Sequence, residues 1–160
     1  MVPESYHRKV KEILTQDLVA INASDTLHDA LSLMAENRVT ALPVTDSKGH
    51  CVGILSASDF VEFTRDLDDE LNDLGRVGEV STQWLFDTLD KHDLARRTVA
   101  EVMTRDVETI TSEYSVIEAA RDMLRHRVHR LPVVDERGIL LGIVSTMDIL
   151  AGFVEWVPEE

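Results

Sequence analysis

Residues 10–60 align with residues 99–149 at a constant offset of 89, without a gap, and 18 of the 51 aligned positions are identical. Val10-Lys-Glu-Ile-Leu-Thr-Gln-Asp17 matches Val99-Ala-Glu-Val-Met-Thr-Arg-Asp106. Arg38-Val39-Thr-Ala-Leu42-Pro43-Val44 matches Arg127-Val128-His-Arg-Leu131-Pro132-Val133, and Gly53-Ile54-Leu-Ser56-Ala-Ser-Asp59 matches Gly142-Ile143-Val-Ser145-Thr-Met-Asp148. A match of this length and register does not arise by chance, so the chain holds two copies of one unit of about 50 residues. A unit that small hides little of its surface when alone. The two copies are therefore expected to pack against each other.

Both copies read as the same succession of elements. The short runs 18–22 and 107–111 are β-prone. Thr26-Leu-His-Asp29 and Ser115-Val-Ile-Glu118 have the form of capping boxes, in which a hydroxyl and an acid satisfy each other's free backbone N–H groups. Behind them, Leu27, Ala30, Leu31, Met34 and Ala35, and then Val116, Ala119, Ala120, Met123 and Leu124, fall on one helical stripe. Two apolar strands follow at 41–45 and 51–55, joined by a turn holding Asp46 and Gly49. Their counterparts are 130–134 and 140–144, with Asp135 and Gly138 between them. A further helix starts after Ser56 and after Ser145. The predicted order is β-α-β-β-α, twice, in an α/β (α+β) fold.

A strand ending in Ser and followed by a helix points N–H groups and the positive helix end at one place. There the Ser hydroxyl can bond a phosphate or sugar oxygen. An Asp one turn into the helix can accept from both ribose hydroxyls, as acids do in dinucleotide sites. The same four residues, Ser56 with Asp59 and Ser145 with Asp148, also satisfy a plain capping box with no ligand. Spacing alone leaves both roles open.

The Leu-Pro-Val strand, the turn Gly, the Gly-Ile-(Leu/Val)-Ser strand and the Asp three residues after that Ser resemble the CBS domain. Duplicated in order, they resemble a tandem CBS pair, or Bateman module, over about 100 of the 160 residues. The resemblance implies two β-α-β-β-α units packed with pseudo-two-fold symmetry. It also implies a regulatory sensor, with no catalysis and no obligatory cofactor, that binds AMP, ADP, ATP or S-adenosylmethionine in clefts between the repeats. Each cleft would take its Ser-x-x-Asp from one repeat and its strands from the other. One would combine Ile54, Ser56, Ser58 and Asp59 with Thr109, Thr111, Val128, His129, Arg130, Leu131 and Pro132. The other would combine Ile143, Ser145 and Asp148 with Ala20, Ile21, Val39, Thr40, Ala41, Leu42 and Pro43. The first has Ser58, Thr109 and Arg130 where the second has Met147, Ala20 and Ala41. Arginine can grip a phosphate with two hydrogen bonds and alanine offers none. The first is therefore expected to be the phosphorylated-nucleotide site and the second the weaker cleft. The chain departs from the common family pattern at Ala23 and Ser112, where many members carry Pro. It departs again at Ser58 and Met147, where many carry a basic residue that could meet a phosphate.

The sequence divides into an N-terminal segment 1–9, repeat 1 at 10–60, a helical acidic insert 61–98 and repeat 2 at 99–157. From the end of repeat 1 into the insert, Phe60, Phe63, Leu67, Leu71 and Leu74 continue a helical spacing toward a C-cap at Gly75, with a hinge from Gly75 to Gly78. Asp66, Asp68, Asp69, Glu70 and Asp73 occupy the other face. They do not make an EF-hand, whose sixth position requires Gly; counted from Asp66 that position is Leu71. Trp84, Leu85 and Leu89 mark another amphipathic helix. Ile149, Leu150, Phe153, Val154 and Trp156 give the last helix an apolar surface, and CBS pairs often dimerise through such helices, so a homodimer is expected. The alternative to a sensor is an interaction protein with unoccupied clefts, acting through dimerisation or the insert on an unknown protein target.

Charge narrows the partners. Thirty acids against 16 Lys and Arg give a net charge of −14. That disfavours nucleic acid and anionic membranes. The local positive charge is a run from Arg121 and Arg125 through His126, Arg127, His129 and Arg130. Arg121 and Arg125 read as a solvated helix face, and His126-x-x-His129 is a weak metal pattern lacking further ligands. One cysteine, Cys51, excludes an intramolecular disulfide. The N-terminal residues contain no apolar signal core, no run is long enough to span a membrane, and a cytoplasmic location is expected. Phosphate-loop, zinc-protease and hydrolase motifs are absent.

Overall fold

A computed structural model describes residues 7–14, 18–65, 82–91 and 93–154. Each repeat builds a three-stranded sheet with two helices. In the first, β1 (Ile21–Asn22) runs parallel to β2 (Ala41–Thr45), and β2 lies beside β3 (Cys51–Ser56). Helix α2 (Leu27–Asn37) connects β1 to β2, and α3 (Ala57–Arg65) follows β3. In the second, β4 (Ile110–Thr111) runs parallel to β5 (Arg130–Val134), which pairs antiparallel with β6 (Leu140–Ser145). Here α5 (Val116–His126) and α6 (Thr146–Val154) take the roles of α2 and α3. Short α1 (Val10–Ile13) and a 3-10 turn at Val99–Glu101 open the two copies, and in the sequence α4 (Thr82–Lys91) falls between the copies.

Helices α2 and α5 begin where the sequence predicts. Thr26 Oγ1 accepts the Asp29 N–H at 3.1 Å, and Ser115 Oγ accepts the Glu118 N–H at 3.2 Å. Glu118 closes its box by accepting the Ser115 N–H at 2.8 Å. Leu27, Ala30, Leu31 and Met34 are buried, as are Val116, Ala119 and Met123. The fifth stripe position fails in both copies. Ala35 is exposed, and Leu124 is 80 % exposed. Eight residues advance a helix by about 800°, which leaves position i+8 roughly 80° from the start, at the edge of the stripe. The first strands are also shorter than the β-prone runs, because only their last two residues have partners: Ile21 with Val44, Asn22 with Thr45, Ile110 with Val133 and Thr111 with Val134.

The described residues pack as two units, and these cut across the repeats. The β1 unit holds 19–47, 52–65, 82–91 and 93–106; the β4 unit holds 7–14, 18, 48–51 and 107–154. The segment that leads repeat 2 therefore packs with repeat 1. Val99 N–H donates to Asp25 O at 2.8 Å, Ala100 N–H to Ala23 O at 2.9 Å, and Leu27 N–H to Arg97 O at 2.9 Å. The segment that leads repeat 1 packs with repeat 2 through the same bonds shifted by 89. Val10 N–H donates to Tyr114 O at 2.8 Å, Lys11 N–H to Ser112 O at 3.1 Å, and Val116 N–H to Arg8 O at 2.8 Å.

Each unit has its own core. Leu27, Leu31, Leu42, Val44, Leu55 and Phe60 fill the β1 unit, joined by Leu85 and Leu89 of α4 and by Val99. Trp84 packs against this core half-buried, so the amphipathic reading of α4 holds. Val10, Ile110, Val116, Leu131, Val133, Val144 and Ile149 fill the β4 unit. Full burial of one such side chain contributes about 1.5–3 kcal/mol. The expected continuation of α3 to Gly75, its acidic face at 66–73, the hinge at Gly75–Gly78 and Trp156 all lie outside the described residues.

Candidate functional site

The junctions between β3 and α3 and between β6 and α6 carry the four residues with two open roles. Ser56 N–H donates to Asp59 Oδ2 at 2.8 Å, Ser56 Oγ donates to the same oxygen at 3.1 Å, and Asp59 N–H donates back to Ser56 Oγ at 3.4 Å. Ser145 and Asp148 repeat the arrangement at 2.7, 2.9 and 3.2 Å. Both pairs form closed capping boxes. Each serine hydroxyl proton is committed to a carboxylate, so the hydroxyl can bind a phosphate, which only accepts, after letting that carboxylate go.

The helix ends offer fewer free donors than the sequence suggests. Besides the N–H groups used within the boxes, Ala57 N–H donates to Thr40 O at 2.9 Å and Thr146 N–H to His129 O at 2.9 Å. A bare cluster of N–H groups aimed at an anion is therefore not what these junctions present. The physical cause is local, since each helix start is capped by an acid on its own first turn and by a carbonyl just ahead of the neighbouring strand.

Asp59 has a further partner that sequence reading missed. Thr104 Oγ1 donates to Asp59 Oδ1 at 3.0 Å. The backbone of Thr104 is pinned to β3 by two bonds, Ile54 N–H to Thr104 O at 3.1 Å and Thr104 N–H to Ile54 O at 2.9 Å. Gly53 makes this approach possible, because a Cβ there would lie 2.5 Å from Thr104 O. A signal did exist: Thr104 is identical to Thr15 in the repeat, one of four identities in the leading run of eight. Thr15 lies outside the described residues.

The remaining candidates fall into the two units as follows. With Ser56 and Asp59, the β1 unit holds half-buried Ile54, exposed Ser58, half-buried Ala20 and Val39, exposed Thr40, and buried Ile21, Ala41, Leu42 and Pro43. With Ser145 and Asp148, the β4 unit holds exposed Thr109, Thr111 and His129, half-buried Val128, Arg130 and Ile143, and buried Leu131 and Pro132. Arg130 stands opposite Ser145 in the β5–β6 register. Ile21, Leu42 and Leu131 are core side chains, so they have only backbone to offer a ligand. Each unit thus gathers the strands and the Ser-x-x-Asp of its own repeat, whereas each expected cleft draws on both units. His126 Nε2 lies 3.8 Å from Glu108 Oε2. Among the described residues, no three His, Cys, Asp or Glu side chains cluster to hold a metal, and no helix is long and apolar enough to cross a membrane.

Known proteins share this fold. The CBS-domain family model matches residues 10–66 and 99–155. An uncharacterized protein of Methanocaldococcus jannaschii, MJ1426, is 29 % identical over 153 residues, covering 91 % of this chain and 90 % of its own. CBSX2, a chloroplastic CBS domain-containing protein of Arabidopsis thaliana, is 30 % identical over 138 residues, and the chain spans 84 % of its own length but only 58 % of that relative. A crystal structure of CBSX2 in complex with AMP superimposes with a TM-score of 0.68 at 28 % identity, covering 92 % of this chain and 96 % of that one. The CBS domain of a membrane protein from Sphaerobacter thermophilus gives a TM-score of 0.68 at 32 % identity, over 91 % and 88 % of the two chains.

Proposed function

Because this chain belongs to the CBS-domain family, we propose that it is a regulatory module that binds an adenosine-containing ligand and catalyses no reaction. The observation that carries this reading is the duplicated Ser-x-x-Asp at a strand–helix junction, in a chain whose fold and 28 % identity match the AMP complex of CBSX2. In this reading the ligand enters by exchange. Ribose hydroxyls donate to Asp59 in place of the Ser56 hydroxyl, and the released hydroxyl turns to the phosphate. The charge-assisted bonds made to the carboxylate and the phosphate offset the loss of the cap. Arg130 supplies the cation that the overall charge of −14 does not. The phosphorylated-nucleotide site is assigned to Ile54, Ser56, Ser58 and Asp59 with Thr109, Thr111 and Arg130. The Asp148 set, with Met147 and Ala41 in place of Ser58 and Arg130, is assigned a weaker or less charged ligand.

The closed caps also favour a second reading. A box that satisfies itself needs no ligand, which suits a CBS pair acting by protein interaction. Thermal-shift measurements with AMP, ADP, ATP and S-adenosylmethionine separate the two. A ligand at 100 times its dissociation constant stabilises the fold by about 2.7 kcal/mol. Silence across all four leaves the interaction reading. Titration of Asp59→Ala and Asp148→Ala then tests the asymmetry: Asp59→Ala should lose most AMP affinity, and equal losses would sink it. We also propose that the chain self-associates through α6, where Met147 and Leu150, three residues apart, are 70 % and 50 % exposed.

A further inference from the structure

We propose that Thr104 is a positioning residue for Asp59, holding the carboxylate in place while Ser56 changes partner. This inference rests on the nucleotide reading above for its ligand arm only. Among the described residues, two groups donate to Asp59 Oδ2, the Ser56 N–H and the Ser56 hydroxyl, and one donates to Oδ1, the Thr104 hydroxyl. When the Ser56 hydroxyl leaves for a phosphate, the backbone N–H remains as a single anchor on Oδ2. A carboxylate held at one oxygen is free to turn about its terminal bond, a broad, roughly two-fold torsion. Thr104 supplies the second anchor, on the opposite oxygen, from a segment that does not take part in the exchange. That segment is fixed independently by the paired backbone bonds between Thr104 and Ile54. Oδ1 keeps one lone pair beyond the Thr104 bond, so the anchor does not block a ribose hydroxyl. Residues 103–104 enter the β1 unit as the lead of repeat 2, so the orientation of an acid in repeat 1 is set by the other copy.

Thr104→Val removes the hydroxyl but keeps the β-branched shape that suits the strand-like pairing; Thr104→Ser restores the hydroxyl. Calorimetric titration of the full chain with AMP and with 2′,3′-dideoxy-AMP reads the effect. Thr104→Val should weaken AMP three- to tenfold, leave dideoxy-AMP unchanged, and have no further effect in an Asp59→Ala background, while Thr104→Ser stays within twofold of wild type. Equal weakening of both nucleotides would show a merely structural role and overturn the proposal. A ligand-free arm stands alone. Thr104→Val should lower the thermal midpoint by about 2 °C, and Thr104→Val with Asp59→Ala should melt no lower than Asp59→Ala. Losses that add would overturn the proposal even if AMP binds. Absence of any nucleotide binding to wild type would overturn the nucleotide reading and the ligand role of Thr104, leaving the midpoints to decide the contact itself.

Discussion

At the scale of single residues, Gly53 and Gly142 mark where another segment crosses each third strand. A Cβ at Gly53 would lie 2.5 Å from the carbonyl oxygen of Thr104, a backbone atom that cannot move without releasing the Ile54 pairing. A Cβ at Gly142 would lie 2.7 Å from Leu14 Cδ1, the end of a flexible side chain. Gly53→Ala, which would press on that backbone carbonyl, should therefore cost about 1–3 kcal/mol. The urea unfolding midpoint of that variant measures the cost, and a midpoint like that of the unaltered chain would show that the Thr104 carbonyl yields. Both glycines are legible in the sequence as identical positions. Their purpose is not, because it depends on which segment lies across the strand. Ser56, Asp59, Ser145 and Asp148 were likewise legible as boxes, whereas Thr104 was hidden by 45 residues of separation from its partner.

At the scale of elements, short acids fasten the starts of helices and turns. Lys9 N–H donates to Glu12 Oε2 at 2.6 Å, and Thr98 N–H donates to Glu101 Oε2 at 2.8 Å, at equivalent places in the two leads. The Thr98 N–H, with help from Arg97, holds the Glu101 carboxyl below the usual carboxylate range, and the Ser115 N–H does the same to Glu118. A carboxyl with a lowered folded pKa stabilises the fold fully above its unfolded value, and that stability is lost as pH falls through the folded value. Unfolding midpoints should thus drop as pH is taken from neutral to below about 4, near the unfolded Glu value. Glu118→Gln and Glu101→Gln should each flatten that drop, and an unchanged pH profile in both would exclude these groups as its source. The sequence revealed the starts of α2 and α5 and the strands at 41–45 and 130–134, because caps, apolar spacing and Pro-containing strands are local signals. It did not reveal how α2 and α5 stop. Both end at an arginine with φ 55° and ψ 42°, Arg38 and Arg127, where a left-handed residue would ordinarily be Gly or Asn.

At the scale of the whole molecule, the repeat was legible at once and its partition was not. Identity at a fixed offset shows that two like units exist, but it cannot show that each unit takes its leading segment from the other copy. That follows from backbone bonds such as Val10 to Tyr114 and Val99 to Asp25, which carry no sequence signature. Self-association also belongs to this scale. Sedimentation velocity over a range of protein concentrations should show a dimer, and Met147→Glu with Leu150→Glu should shift it to monomer. A wild type that sediments as a monomer throughout would remove α6 as a contact.

The exchange of leading segments has a consequence for the order in which the protein can be made. On a ribosome the chain emerges from its N-terminus, and domains close as their last part appears. The β1 unit is complete once residue 106 is out, and its final piece, the Val99–Thr104 segment, arrives directly after α4. Val10, by contrast, is fully buried in a cluster whose other buried members start at Ile110, so this core side chain, the first among the described residues, waits for about a hundred residues before that core exists. Synthesis thus imposes a sequence on two copies that are otherwise alike. The unit carrying Asp59 and Thr104 closes first, and the unit carrying Arg130 closes last, around a segment that was exposed from the start.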